Sequence, residues 1–86
     1  MTAAGRVQAL VARFAVETLY TPPPSLLAPT DENLRRVLAA GTPADPTPPR
    51  DTELELVRDL FTRVYGPARD AIKRDMEQPA LFEVTA

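Results

Sequence analysis

Asp51–Glu77 reads DTELELVRDLFTRVYGPARDAIKRDME, and the reading of this stretch decides the fold. Leu54, Val57, Leu60, Phe61, Val64, Ala68, Ile72 and Met76 recur at three- and four-residue spacing, which is the period of one helix face. Thr52 and Glu55 match the S/T-x-x-E capping box, with Asp51 just before it, so the spacing predicts a helix over about 52–76. Asp59–Arg63 and Asp70–Arg74 are acid-first pairs one turn apart, expected to support its wet side. The mixed charges along this segment describe a solvated helix surface rather than a nucleic-acid stripe. Gly66 and Pro67 interrupt the pattern. The proline ring would clash with the Arg63 carbonyl in an unaltered helix, so a kink or a short break is expected at 66–67.

Upstream, Leu34, Val37 and Leu38 predict a short helix over about 30–40, with Arg35 and Arg36 on its outer face. Thr30 or Asp31 can cap it, and Asp31 and Glu32 suit the positive end of the helix dipole. Gly41 is placed to stop it in a left-handed conformation. Pro43, Pro46, Pro48 and Pro49 follow, so residues 42–50 read as an extended linker.

The first segment, about 2–20, carries Val7, Leu10, Val11 and Phe14 at helical spacing. Val16 and Tyr20 lie roughly opposite that stripe. A helix apolar on more than one side is buried on more than one side. Two readings follow. Either Val7, Leu10, Val11, Phe14, Val16 and Tyr20 include a face covered by another chain or a second copy, or this is the central helix of the core. Pro22, Pro23 and Pro24 end the helix and favour a stiff connector, from which Leu26 and Leu27 fold back.

The whole is expected to be a small all-α domain of three or four helices with proline-rich connectors over residues 1–77, followed by an extended tail over 78–86. The chain has 86 residues and 44% apolar side chains, enough for one small domain and too many for wholesale disorder. It has no Cys and no His. Disulfides and thiolate metal sites are thereby excluded, and the commonest general base and metal ligand are missing. Ser25, the only Ser, has no His to activate it. The sequence thus predicts no catalytic residue, no metal, no cofactor and no small-molecule substrate. A net charge of −2 does not fit direct nucleic-acid binding. A helix-turn-helix contact through Arg35 and Arg36 would also need a tighter turn than the prolines allow. No apolar run is long enough to span a membrane and no signal peptide is legible, so a cytoplasmic chain is expected.

The tail reads Glu77-Gln78-Pro79-Ala80-Leu81-Phe82-Glu83-Val84-Thr85-Ala86. Pro79 disfavours helix at Gln78, and two large apolar residues at a terminus call for a cover. Gln78-Pro79-Ala80-Leu81-Phe82 resembles the bacterial sliding-clamp-binding motif, Gln-x-x-Leu-Phe. The family more often carries Leu after the Gln and Ser or Asp next, where this chain has Pro79 and Ala80. The resemblance implies that Leu81 and Phe82 fill an apolar pocket on the β clamp while Gln78 hydrogen-bonds at its rim. Burial of the two side chains, about 1.5–3 kcal/mol each before ordering costs, implies a micromolar affinity. The other readings are that Leu81, Phe82 and Val84 pack on the helical body, or serve a different peptide-binding partner. The sequence therefore predicts a protein-interaction module. It is either an adaptor or regulator of replication or repair on the β clamp, or a helical accessory subunit of a larger complex or homo-oligomer.

Overall fold

The structure is a computed structural model that describes residues 2–77. It is all-α: α1 spans Ala3–Ala15, α2 Asp31–Val37 and α3 Asp51–Glu77. A five-residue π-helical segment, Val16–Tyr20, continues α1, and no strand occurs among the described residues. The Gln78–Phe82 motif lies outside the described residues.

Each helix starts on a side-chain cap. Thr2 Oγ1 accepts the Gly5 N–H at 3.1 Å to open α1. Thr30 Oγ1 accepts the Asn33 N–H at 3.2 Å to open α2. At α3 the expected Thr52–Glu55 box is replaced by an earlier one. The Arg50 carbonyl accepts the Leu54 N–H at 2.9 Å, which places Arg50 at the cap, and Glu53 reaches back to the Arg50 N–H at 3.0 Å. Glu53 stands three residues after that cap, the position from which a carboxylate can satisfy the cap's own orphan N–H.

The end of α1 follows from the three prolines. Pro22, Pro23 and Pro24 have no N–H, so the carbonyls of Thr18, Leu19 and Tyr20 have no helical donor. Downstream groups close this end of the segment, reaching the carbonyls of Val16 and Glu17 and, of those three, that of Thr18. The Thr21 hydroxyl donates to the Val16 carbonyl at 2.7 Å, the Ser25 hydroxyl to that of Glu17 at 2.8 Å, and the Leu26 N–H to that of Thr18 at 3.0 Å. Leu26 adopts φ 52° to make its bond, a left-handed conformation that costs a non-glycine residue about 1–2 kcal/mol. It is held from the other side too, because Arg69 of α3 donates to its carbonyl at 3.0 Å.

The core contains Val7, Leu10, Val11, Phe14, Ala15 and Leu19 from the first segment, Leu34 and Leu38 from the α2 region, and Leu54, Val57 and Phe61 from α3. Phe14 and Phe61 meet edge to face, with ring centroids 5.0 Å apart at 83°, and Tyr65 stacks on Phe61 at 5.6 Å. The edge-to-face pair sets the negative face of one ring against the positive edge of the other. Leu26, Leu27, Val37, Leu60, Tyr65 and Ile72 pack against this core from outside.

Three expectations change. Residues 42–50 are not a simple extended linker. Thr42 is buried and exchanges backbone hydrogen bonds with Asp45, which closes a tight turn. Gly41 does adopt the left-handed conformation, φ 67°, and its N–H bonds the Leu38 carbonyl at 2.9 Å. The second concerns α3: of the kink or break expected at 66–67, the break does not occur, and the helix is continuous through Gly66 and Pro67. Packing on both sides of the proline, at Phe61 and Tyr65 before it and Ile72 after it, offsets the hydrogen bond that Pro67 cannot donate. The third is the length of the buried stripe. Val64, Ala68 and Met76 are exposed, so the apolar period of α3 outlasts its burial.

Candidate interaction surface

The two long helices run side by side in the same direction. Arg6 of α1 pairs with Glu53 of α3, and eight residues on from both, Phe14 pairs with Phe61. The parallel pair leaves a groove along one side of the α1–α3 seam. Its first stretch, ≈ 590 Å³, is lined by Ala3, Ala4, Val7 and Gln8 on α1 and by Leu56, Asp59, Leu60 and Arg63 on α3. A smaller stretch continues it past Gln8, Val11, Leu60, Val64 and Tyr65.

The α3 wall is a ridge of Leu56, Leu60 and Val64, spaced four apart and therefore stacked along one helix face. Leu56 is 55% exposed and Val64 54%, whereas Leu60 is half-buried. The α1 wall is low, because Ala3, Ala4 and Gln8 let the ridge stand above it. The result is a shallow trough of alanines beside a row of branched side chains, a shape that takes a second helix.

Two charges border the trough. Asp59 and Arg63 are one turn apart, yet they form no ion pair with each other. Among the described residues, Arg63 has no ion pair, and Asp59 has only a 4.0 Å approach from Arg58. Asp70 and Arg74 likewise stay apart. The two pairs expected from spacing alone are thus not closed. An exposed i,i+4 pair is worth only about 0.3–0.5 kcal/mol, too little to fix two long side chains.

One end of the trough abuts a polar clasp. Arg6 meets Glu53 Oε2 at 2.6 Å, Asp45 Oδ2 at 2.7 Å and the Thr47 carbonyl at 2.8 Å. It therefore joins α1 to the turn at 42–47 and to the start of α3. Its own pKa is raised, mainly by the hydrogen bond to Glu53. The Glu53 carboxyl is held below its usual range, first by the Arg50 N–H and then by Arg6. The Asp45 carboxyl is lowered first by hydrogen bonds from Thr47, with Arg6 adding to it. The Arg6 and Glu53 side chains are only 11% and 20% exposed, so the clasp is part of the fold.

The six residues named on helix one separate into two groups. Val7, Leu10, Val11 and Phe14 are buried in the chain's own core, so they are not a free face for another molecule. Only Val16, 51% exposed, and Tyr20, 64% exposed, reach solvent. Leu19, between them in sequence, is buried in the core. The exposed ridge on α3 was missed because Leu60 belongs both to it and to the core stripe. Its signal was present in the sequence as Leu56, Leu60 and Val64, a second row at four-residue spacing. Gln78, Leu81 and Phe82 lie outside the described residues.

No helix among the described residues is long and apolar enough to cross a membrane. No protein-family model, curated protein or solved structure matches the chain.

Proposed function

We propose that this chain is a non-catalytic protein-interaction module that works by docking, with one interface on its helical body and one in its tail. The observation that carries the reading is the uncovered ridge Leu56–Leu60–Val64 beside the alanine wall of α1. A row of branched side chains left half in water on a small domain is an unfavourable surface unless a partner removes it.

The tail gives the second interface its chemistry. Gln78-Pro79-Ala80-Leu81-Phe82 resembles the β sliding-clamp-binding motif, with Leu81 and Phe82 as apolar anchors and Gln78 as the polar group that sets register. On this reading the chain is an adaptor or regulator in DNA replication or repair that occupies the clamp pocket. Calorimetric titration of a purified bacterial β clamp with the full chain tests it. A micromolar dissociation constant is expected, weakened at least about tenfold by Leu81→Ala/Phe82→Ala, since losing two anchors removes well over 1.4 kcal/mol. Equal binding by the double variant, or none by the parent, rejects the clamp.

A further inference from the structure

We infer that the trough between α1 and α3 is filled by a second copy of this chain, joined through a two-fold axis that passes beside Leu60. The inference rests on reading the ridge as an interface and goes further by naming its occupant. It uses the described body alone and nothing of the tail.

The ridge has the symmetry such a contact needs. Leu56 and Val64 flank Leu60 four residues to either side. When two α3 helices meet antiparallel at this point, Leu60 faces its own equivalent and Leu56 faces the partner copy's valine. A two-fold contact is self-complementary in this way: residue i meets j and j meets i. Leu56 and Val64, both more than half exposed in the single chain, would then be covered together.

The bordering charges fit the same axis. Asp59 and Arg63 lie on one flank of the ridge and both line the trough. A two-fold axis lying across the helices keeps that flank on the same side in both copies but reverses its order along α3. Arg63 of one copy is then brought near the aspartate of the other, and the reverse pair forms by symmetry. Within one chain these two side chains do not pair, so both remain available. Charge complementarity of this kind sets orientation and register more than affinity. A two-fold contact with the helices parallel would place this flank on opposite sides of the seam in the two copies, so the charges would not meet. The alanine walls supply the room. Ala3 and Ala4 are small and exposed, so the partner's ridge can sink toward the seam. The assembly would be four helices, α1 and α3 from each copy, around the closed trough.

Size-exclusion with light scattering, run on the full chain from micromolar to millimolar concentration, tests this. The expected result is a mass rising to twice that of the 9.4 kDa chain. Leu56→Glu and Val64→Glu should each return the chain to monomer with helical circular dichroism retained, because both positions are exposed in the single chain. Asp59→Arg and Arg63→Asp should each raise the dissociation constant several-fold. The double reversal Asp59→Arg/Arg63→Asp should restore it. A chain that stays monomeric throughout overturns the second copy, even where it binds the clamp. A dimer indifferent to Leu56→Glu and Val64→Glu overturns the assigned face. Failure of the double reversal to recover affinity overturns the two-fold register.

Discussion

Arg6 of α1 and Glu53 of α3 meet at 2.6 Å, and the carboxylate that holds Arg6 also caps the first turn of the helix it belongs to. One side chain thus fixes where α3 begins and where α1 lies beside it. The register it sets is the one in which Phe14 reaches Phe61 and the Leu56–Leu60–Val64 ridge is left outside the seam.

The clasp makes stability sensitive to acid. Glu53 and Asp45 both titrate below their usual range in the folded chain. Protons therefore bind the unfolded chain more tightly. The stabilisation is fully present above the unfolded values, about 4.3 for Glu and 3.9 for Asp, and is lost as pH falls through the lower folded values. Thermal melts are expected to be insensitive to these groups near neutrality and to lose midpoint temperature below about pH 4.5. Glu53→Gln should lower stability near neutrality and flatten the acid slope. An unchanged slope would show that the clasp does not set it.

Phe14→Ala should be the most damaging single truncation. The ring is fully buried, and its loss removes the edge-to-face contact with Phe61. A cost of about 3–5 kcal/mol is expected, comparable with the whole stability of a small domain. Phe14→Leu should keep most of the burial and cost less. Chemical denaturation of the two variants gives the comparison directly.

Gly41→Ala should also destabilise, for a different reason. Gly41 sits at φ 67°, and a Cβ there would meet the Asp45 carbonyl oxygen and come within 2.5 Å of the Thr47 carbonyl oxygen. The conformational cost alone is about 1–2 kcal/mol, and displacing the 42–47 turn would loosen the Arg6 clasp as well. A loss larger than that cost, with a weaker acid slope, is the expected signature in pH-dependent melts.

Pro67→Ala should act in the opposite direction. Pro67 lies inside continuous α3 and is exposed. Alanine would restore a donor for the Arg63 carbonyl and remove the ring clash, a gain of up to about 3 kcal/mol. Gly66→Ala next to it meets nothing nearer than the Thr62 Cγ2 at 4.0 Å and should add about 1 kcal/mol. A higher melting temperature in both variants is the expected outcome.

Much of the fold could be read locally. The Val7–Phe14 stripe, the Thr30 cap, the Gly41 turn and the apolar period of α3 are all set by residues within a turn or two of one another. What could not be read is what joins distant residues. Arg6 and Glu53 are 47 positions apart, and no spacing rule links them. The capping residue was misplaced because Glu53 and Glu55 both offer a carboxylate at the start of α3, and only the position of Arg6 favours the earlier one. The apolar period of α3 runs on through Val64 and Met76 beyond its burial, because a helical period shows which residues share a face, while how far that face is covered depends on the length of α1. The ridge on α3 was hidden for the same reason. Leu60 serves two rows, and the longer row drew the reading.

The most direct test of the interaction reading is to follow the methyl resonances of Leu56, Leu60 and Val64 in solution. The chain would be diluted from millimolar to micromolar concentration, with Leu10 and Leu34 as buried references. The account predicts that the three ridge residues shift together along one binding curve, while the core methyls hold still. Ridge methyls that stay fixed over the whole range would show that this surface meets no second copy, and would contradict the account.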